Sequence, residues 1–243
     1  MSSHPPIGEA EGKAEAIENM FDDVAPRYDL LNRVLSLGID QYWRTQAVRL
    51  LEEDSPARVL DVATGTADLA IKAERMLHPR NVVGIDLSAE MLARGREKVA
   101  RRGLTPRISL IQGDAEDLPF ADDTFDAALV AFGVRNFENL NAGLGGIRRV
   151  LRSGASLVVL EFSRPRTPPI KQLYAWYSRY ILPRIGGAIS PNEGAYEYLP
   201  NSVAAFPDGP DFLERMDESG FTDLYWRPLT FGIASLYRGT VPA

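Results

Sequence analysis

The 243-residue chain contains no cysteine and only two histidines. The first absence excludes disulfides, thiolate metal sites and any mechanism built on a cysteine nucleophile. His4 falls in a polar N-terminal stretch and His78 stands beside Pro79 in a turn. A two-histidine metal site or a histidine-based triad is therefore not expected, and no metal is predicted. No apolar run approaches the roughly 20 residues needed to span a bilayer. Residues 1–13 lack the apolar segment of a signal peptide and read as a flexible tail. Positive charge is short too: 27 Lys and Arg face 33 Asp and Glu, a net charge of −6. That balance argues against a nucleic-acid partner held through its phosphates. What remains is a soluble, cytoplasmic protein that at most touches the inner face of a membrane. Its 45% apolar content is ample for a core.

Against these absences one stretch stands out, Val59-Leu60-Asp61-Val62-Ala63-Thr64-Gly65-Thr66-Ala67-Asp68. An apolar run ends in an acid, turns on small residues and launches a helix. A second apolar run, Val82-Val83-Gly84-Ile85, ends in Asp86, which Leu87 follows. This is the spacing of a nucleotide-like ligand lying across the carboxyl ends of two parallel strands. A dinucleotide site needs Gly-x-Gly-x-x-Gly so that backbone amides reach a pyrophosphate. Here those positions read Ala63, Gly65 and Asp68. An acid aimed at a pyrophosphate repels it. Asp61 instead suits a ligand with a cationic part, and S-adenosylmethionine carries both a sulfonium and an ammonium. Asp86 then accepts from the ribose hydroxyls. The candidate cofactor residues are Asp61, Gly65, Thr66, Asp86 and Leu87, with Asp114 and Ala115 after the third strand. There a carboxylate can accept from the adenine amino group, and the Ala115 N–H can reach a ring nitrogen. Taken alone, Asp114 is an ordinary loop-starting residue and Asp86 an ordinary turn residue. Their weight comes from the set.

Periodicity places strands at 58–62, 82–86, 107–112, 125–132 and 156–161, separated by helices at 66–77, 89–101 and 140–151. Ser88 is the expected N-cap of the second of these. The alternation predicts a parallel, doubly wound sheet. Helices at 14–24, 28–35 and 40–51 precede the first strand. Beyond residue 163 come a proline-rich break, an aromatic basic stretch over 171–184, helices at 196–206 and 210–219, and strands at 222–228 and 231–238 meeting at a tight turn. The organisation reads as a helical cap over 14–54, a cofactor-binding core over 55–163, a helical lid over 164–220 and a terminal antiparallel hairpin over 221–243. This is the α/β, Rossmann-like architecture of class I S-adenosylmethionine-dependent methyltransferases, built as one domain.

The fourth strand ends in Phe132-Gly133-Val134-Arg135-Asn136, where this architecture places the methyl acceptor. Arg135 at the mouth of the site can stabilise a developing oxyanion; otherwise it pairs with a nearby acid. Asn136 either faces the acceptor or caps the next helix. In the aromatic stretch, Ile170, Leu173, Tyr174, Tyr177 and Ile181 fall at helical spacing with Lys171, Arg179 and Arg184 around them. Such a face either packs on its own domain or lines a groove for an apolar tail.

The chain resembles the ubiquinone/menaquinone biosynthesis C-methyltransferase family from about residue 21 to residue 238. One signature is Tyr28-Asp29-Leu30-Leu31-Asn32-Arg33-Val34-Leu35-Ser36, continuing to Trp43. A second runs from Arg149-Val150-Leu151-Arg152-Ser153-Gly154 through Glu161-Phe162-Ser163, and the Phe132–Asn136 stretch is also typical. The family usually has methionine at Leu31 and histidine at Asp40; Arg152, Ser153 and Ala155 replace its lysine, proline and glycine. No role given to a histidine at position 40 carries over. The resemblance implies methyl transfer from S-adenosylmethionine to a ring carbon of a reduced prenylated quinone, demethylmenaquinol giving menaquinol. Arg135 would then stabilise the quinol oxyanion, and Tyr28 would bind the acceptor or close the cap. The alternatives are a ubiquinol precursor as acceptor, or a small-molecule methyltransferase acting on oxygen. The oligomeric state is not legible; the lid stripe could equally be a subunit contact.

Overall fold

The computed structural model describes residues 20–22, 25–177 and 193–243. The expected tail, most of the expected 14–24 helix, and Arg179, Ile181 and Arg184 lie outside the described residues. Eight helices and seven strands are named here. After a 3-10 turn at Ala25–Arg27 come α1 (Tyr28–Leu35) and α2 (Asp40–Arg49). Then follow β1 (Arg58–Val62), α3 (Asp68–Leu77), β2 (Asn81–Asp86), α4 (Ala89–Arg101), β3 (Ile108–Gln112) and β4 (Phe125–Ala131). A 3-10 turn at Val134–Asn136 leads to α5 (Leu140–Val150) and β5 (Leu151–Phe162). The chain finishes with α6 (Ile170–Trp176), α7 (Glu193–Ala205), α8 (Pro210–Glu218), β6 (Thr222–Leu229) and β7 (Ala234–Thr240).

The sheet order is β3-β2-β1-β4-β5-β7-β6. The first five strands pair in parallel, and β7 runs antiparallel to both β5 and β6. Order reverses between β1 and β4, which opens a crevice at their carboxyl ends. Strand residues alternate between two covered faces. Val59, Ala127, Leu129 and Val158 pack with Trp43 and Val48 of α2 and Leu69 of α3. Leu60, Ala128, Leu157 and Tyr237 pack with Ile147 of α5 and Phe212 of α8. Burial on both sides is why these strands read as continuous apolar runs rather than alternating ones.

Four departures from the sequence reading have a local cause. α3 starts at Asp68, not at residue 66, because Ala67 is left-handed (φ 65°) and cannot be its first helical residue. β5 begins at Leu151, directly after α5, since Leu151 already pairs with Phe125 and the ladder resumes at Ser156–Ala127 past an irregularity. Between β6 and β7 the turn is a 3-10 segment, Thr230–Gly232, so β7 starts at Ala234. The cap of α5 is Asn139, whose side chain accepts from the Ala142 N–H; Asn136 is not a cap. Ser88 does cap α4, accepting from the Met91 N–H.

Candidate functional site

The site is built where β1, β2, β3 and β4 end. After β1 the chain turns through Ala63, Gly65 and Ala67, all at positive φ (53°, 54° and 65°). Glycine meets this without penalty and alanine does not. The alanines are held there by Thr64: its N–H donates to Ile85 O at 3.0 Å and its hydroxyl to Asp61 Oδ2 at 2.6 Å. Asp86 then binds two turns together, accepting from the Gly65 N–H at 2.7 Å and the Ser88 N–H at 3.0 Å. Burial pushes the Asp86 carboxyl up, against the pull of these donors. After β4, a Cβ on Gly133 would come within 2.5 Å of Ala63 Cβ, so the first and fourth turns touch.

These turns frame a cleft of about 800 Å³. Gly65, Asp86, Leu87, Asp114 and Ala115 line it, together with Tyr28 from α1 and Asn136. Asp114 is also the turn residue, its Oδ1 accepting the Glu116 N–H at 2.8 Å. Asp61 sits behind the lining at 1% exposure. Its Oδ1 is buried with no partner, and burial pushes its carboxyl up to about 7. An acid stored this way fits a ligand that brings a cationic group. The residues present therefore fit S-adenosylmethionine: Gly65 bares its backbone to the cleft, and the unmet Asp61 oxygen behind it matches a cationic group.

Two expected residues are placed differently. The Thr66 hydroxyl donates to Asp29 Oδ1 at 2.6 Å and accepts from Lys98 Nζ at 2.9 Å. It joins α1 to the core instead of lining the cleft, because the buried ammonium of Lys98, reaching from α4 toward α3, needs acceptors. Arg135 lines neither cavity. Its Nη1 donates to Glu161 Oε1 at 2.7 Å and to Phe132 O at 2.6 Å, while its Nε is buried without a partner. Glu161 is fully buried; burial pushes its carboxyl up while Arg135 pulls it down. Such an acid holds the guanidinium in place. Asn136 Oδ1 accepts from the Tyr198 hydroxyl of α7 at 3.0 Å. Tyr28 is pushed up by burial and stays a protonated donor; its ring meets that of Phe21 edge-on at 6.1 Å.

A second cavity, about 1340 Å³, adjoins the first. Ile39, Trp43, Phe162, Leu173, Trp176 and Ile233 contribute apolar walls, and Asn32, Ser36, Asp40 and Thr230 a polar arc. Phe132 lines both cavities. It does so at φ 61°, a conformation that strains a bulky residue. Its ring is held 4.5 Å from that of Phe162 and 5.3 Å from the Arg44 guanidinium. Ile170, Leu173, Tyr174 and Tyr177 of the predicted stripe line this chamber. Sequence reasoning missed Tyr198, which carries no local signal, and saw Asp40 only as a departure.

The comparisons agree with this geometry. The model of the ubiE/COQ5 methyltransferase family matches residues 9–241. A demethylmenaquinone methyltransferase of Bacteroides fragilis is 46% identical over 228 residues, covering 94% of this chain and 93% of that protein. The ubiquinone/menaquinone biosynthesis C-methyltransferase UbiE of Geobacter sulfurreducens is also 46% identical, covering 93% of this chain and 89% of that one. Among solved structures, a SAM-dependent methyltransferase of Thermotoga maritima superposes with a TM-score of 0.63 at 18% identity, over 92% of this chain and 99% of that one; this likeness concerns the fold alone. With a family match across nearly the whole length and two relatives at almost half identity, the chain belongs to the ubiE/COQ5 methyltransferase family.

Proposed function

We propose that the protein methylates a ring carbon of demethylmenaquinol, giving menaquinol, with S-adenosylmethionine as the methyl donor. One observation carries this reading: a cleft edged by the carboxylates of Asp86 and Asp114 shares one described side-chain wall, Phe132, with a large apolar chamber. The names borne by the relatives from Bacteroides fragilis and Geobacter sulfurreducens support the acceptor class.

When bound, S-adenosylmethionine supplies an electrophilic methyl group. Asp86 would take the ribose hydroxyls, Asp114 and the Ala115 N–H the adenine edge, and Gly65 the amino-acid portion, with Asp61 as counter-charge. Tyr28 closes the cleft from the cap side and excludes water. A quinol ring carbon becomes nucleophilic as its neighbouring hydroxyl loses a proton. Arg135, paired with Glu161 behind the shared wall, supports that oxyanion through its field, in a site kept dry by Phe132 and Phe162. Its guanidinium carbon lies 5.5 Å from the centre of the Phe162 ring. Asn136, fixed by Tyr198, orients groups beside it. Holding the carbon at near-attack distance can supply up to roughly 7–11 kcal/mol.

No helix among the described residues is long and apolar enough to cross a membrane. Leu37, Leu173 and Trp176 line the chamber while remaining 84%, 60% and 52% exposed. This exposed rim supports brief contact between the chamber mouth and the membrane that holds a prenylated acceptor.

The test is a mass-spectrometric assay with S-adenosylmethionine and chemically reduced demethylmenaquinone, beside a demethylated benzoquinol. One methyl gained on carbon of the naphthoquinol supports the reading. Gain on the benzoquinol alone replaces the acceptor, and gain on oxygen rejects the reaction class.

A further inference from the structure

The chamber is apolar over most of its wall, and among its described lining residues only Asp40 carries a carboxylate. Asp40 opens α2 at 4% exposure. Its Oδ1 accepts from the Ser36 hydroxyl at 3.0 Å and its Oδ2 from the Gln41 side-chain amide at 2.9 Å. Arg44 Nε stands 3.7 Å from Oδ2, outside hydrogen-bond reach, and has no hydrogen-bond partner. A carboxylate offers about four acceptor positions. Two are met by these neutral donors, and Arg44 balances the charge without using the rest. The arrangement leaves Asp40 with acceptor capacity toward the chamber it lines.

An acceptor ring of the class proposed above comes in two forms of nearly equal shape. The reduced ring presents two O–H donors; the oxidised ring presents two carbonyl acceptors. An ionised carboxylate accepts and cannot donate. Against a quinol hydroxyl it makes a short, charge-assisted hydrogen bond. Against a quinone oxygen it sets two acceptors face to face in an apolar site, where an unmet polar group is costly.

We infer that Asp40 is the residue by which this protein distinguishes reduced from oxidised rings, admitting the quinol and refusing the quinone. The inference deepens the function proposed above and rests on its acceptor class. Discrimination of this kind matters because only the reduced ring has an electron-rich carbon to methylate. A chamber that bound the quinone equally well would be blocked by it wherever the two forms coexist.

The experiment is equilibrium binding to the full chain saturated with S-adenosylhomocysteine, so that no turnover occurs. The probes are short-chain demethylmenaquinol kept reduced, the corresponding quinone, and the quinol dimethyl ether, which has no donors. Wild type is expected to bind the quinol about 10- to 100-fold more tightly than either other probe. Asp40→Asn, whose amide can donate to a carbonyl, is expected to bring quinol and quinone close to parity with S-adenosylhomocysteine affinity unchanged. Equal binding of all three probes by wild type overturns the inference without any variant, and so does a preference that survives in Asp40→Asn. Failure of all three to bind, with S-adenosylhomocysteine still bound, instead overturns the acceptor class itself and this inference with it.

Discussion

Lys98 of α4 reaches Asp29 of α1, Nζ to Oδ2 at 2.6 Å, and ties the segment carrying Tyr28 to the sheet's own helices. The same ammonium meets Asp68 Oδ1 at 2.7 Å and the Thr66 hydroxyl. One buried cation therefore serves three acceptors from two layers. Burial alone would raise the Asp68 carboxyl, but the charge and hydrogen bond of Lys98 outweigh it and hold the group below the usual range. A lowered folded-state value adds stability above the unfolded value of about 4, and that stability is lost as pH falls through the folded value. Lys98→Met is expected to lose about 2 kcal/mol at pH 7, less than a fully buried pair because Asp29 is partly exposed, or roughly 4–8 °C in Tm. The gap to wild type should close below about pH 4. Thermal melts across pH, with S-adenosylhomocysteine titrations at pH 7, check both the latch and its effect on the cleft.

The unmet oxygen of Asp61 predicts pH-dependent cofactor binding. Its carboxyl is pushed up to about 7 by burial, whereas the unfolded chain ionises near 4. Stability from this group is thus complete at low pH and declines as pH rises through 7. A cationic ligand favours the ionised form, so S-adenosylhomocysteine should bind more tightly at pH 8 than at pH 6 and release a proton. Calorimetry in buffers of different ionisation enthalpy reads that proton directly. Asp61→Asn should abolish its release.

Arg135 and Glu161 form a buried pair in which removal of either member strands the other. Arg135→Met is expected to cost about 3–5 kcal/mol, since Glu161 is left uncompensated. The loss should grow with pH, because burial then raises the Glu161 carboxyl unopposed. Adding Glu161→Leu should restore most of the stability. It should not restore methyl transfer. Recovery of both would remove Arg135 from the proposed chemistry; denaturant melts and the mass-spectrometric assay separate the two.

Gly133 lies where the first and fourth turns touch. Gly133→Ala forces a Cβ toward Ala63 Cβ at 2.5 Å, between two backbone turns with little room to retreat. Overpacking of this kind costs about 1–3 kcal/mol. Because Ala63 lines the cleft, weaker S-adenosylhomocysteine binding should accompany the lower Tm. Gly145→Ala, in open space inside α5, is the control: it should leave S-adenosylhomocysteine binding unchanged and hold or slightly raise Tm.

The sheet was legible in the sequence because each buried strand is a short apolar run with a turn behind it, and local chemistry decides such runs. β1 and α4 were read to the residue for that reason. The cofactor cleft was nearly as legible, since consecutive strand–turn units build it and its residues stand at fixed spacing. The hydroxyl partners of Thr66, Asp29 and Lys98, were not legible because they come from distant segments that no local pattern connects. Tyr198 was missed, and Asp40 was seen only as a departure from the family pattern, for the same reason: a chamber assembled from separate stretches leaves no single motif. Phe132 was quoted as part of a motif, but its role as a shared wall depends on a positive φ that sequence spacing does not disclose.

The Trp43 indole N–H donates to Thr230 Oγ1 at 2.7 Å, across 187 positions of chain, and both residues line the acceptor chamber. Contacts of such sequence separation slow folding, because their closure entropy is met before the contact rewards it. The cofactor turns need nothing so remote. The expected order of maturation is that competence to hold the nucleotide comes early and competence to receive the ring comes last. Pulse-labelled hydrogen exchange during refolding should protect the amides of β1 and β2 before the Trp43 indole. A chain caught partway would be a binder of donor with nowhere to deliver it.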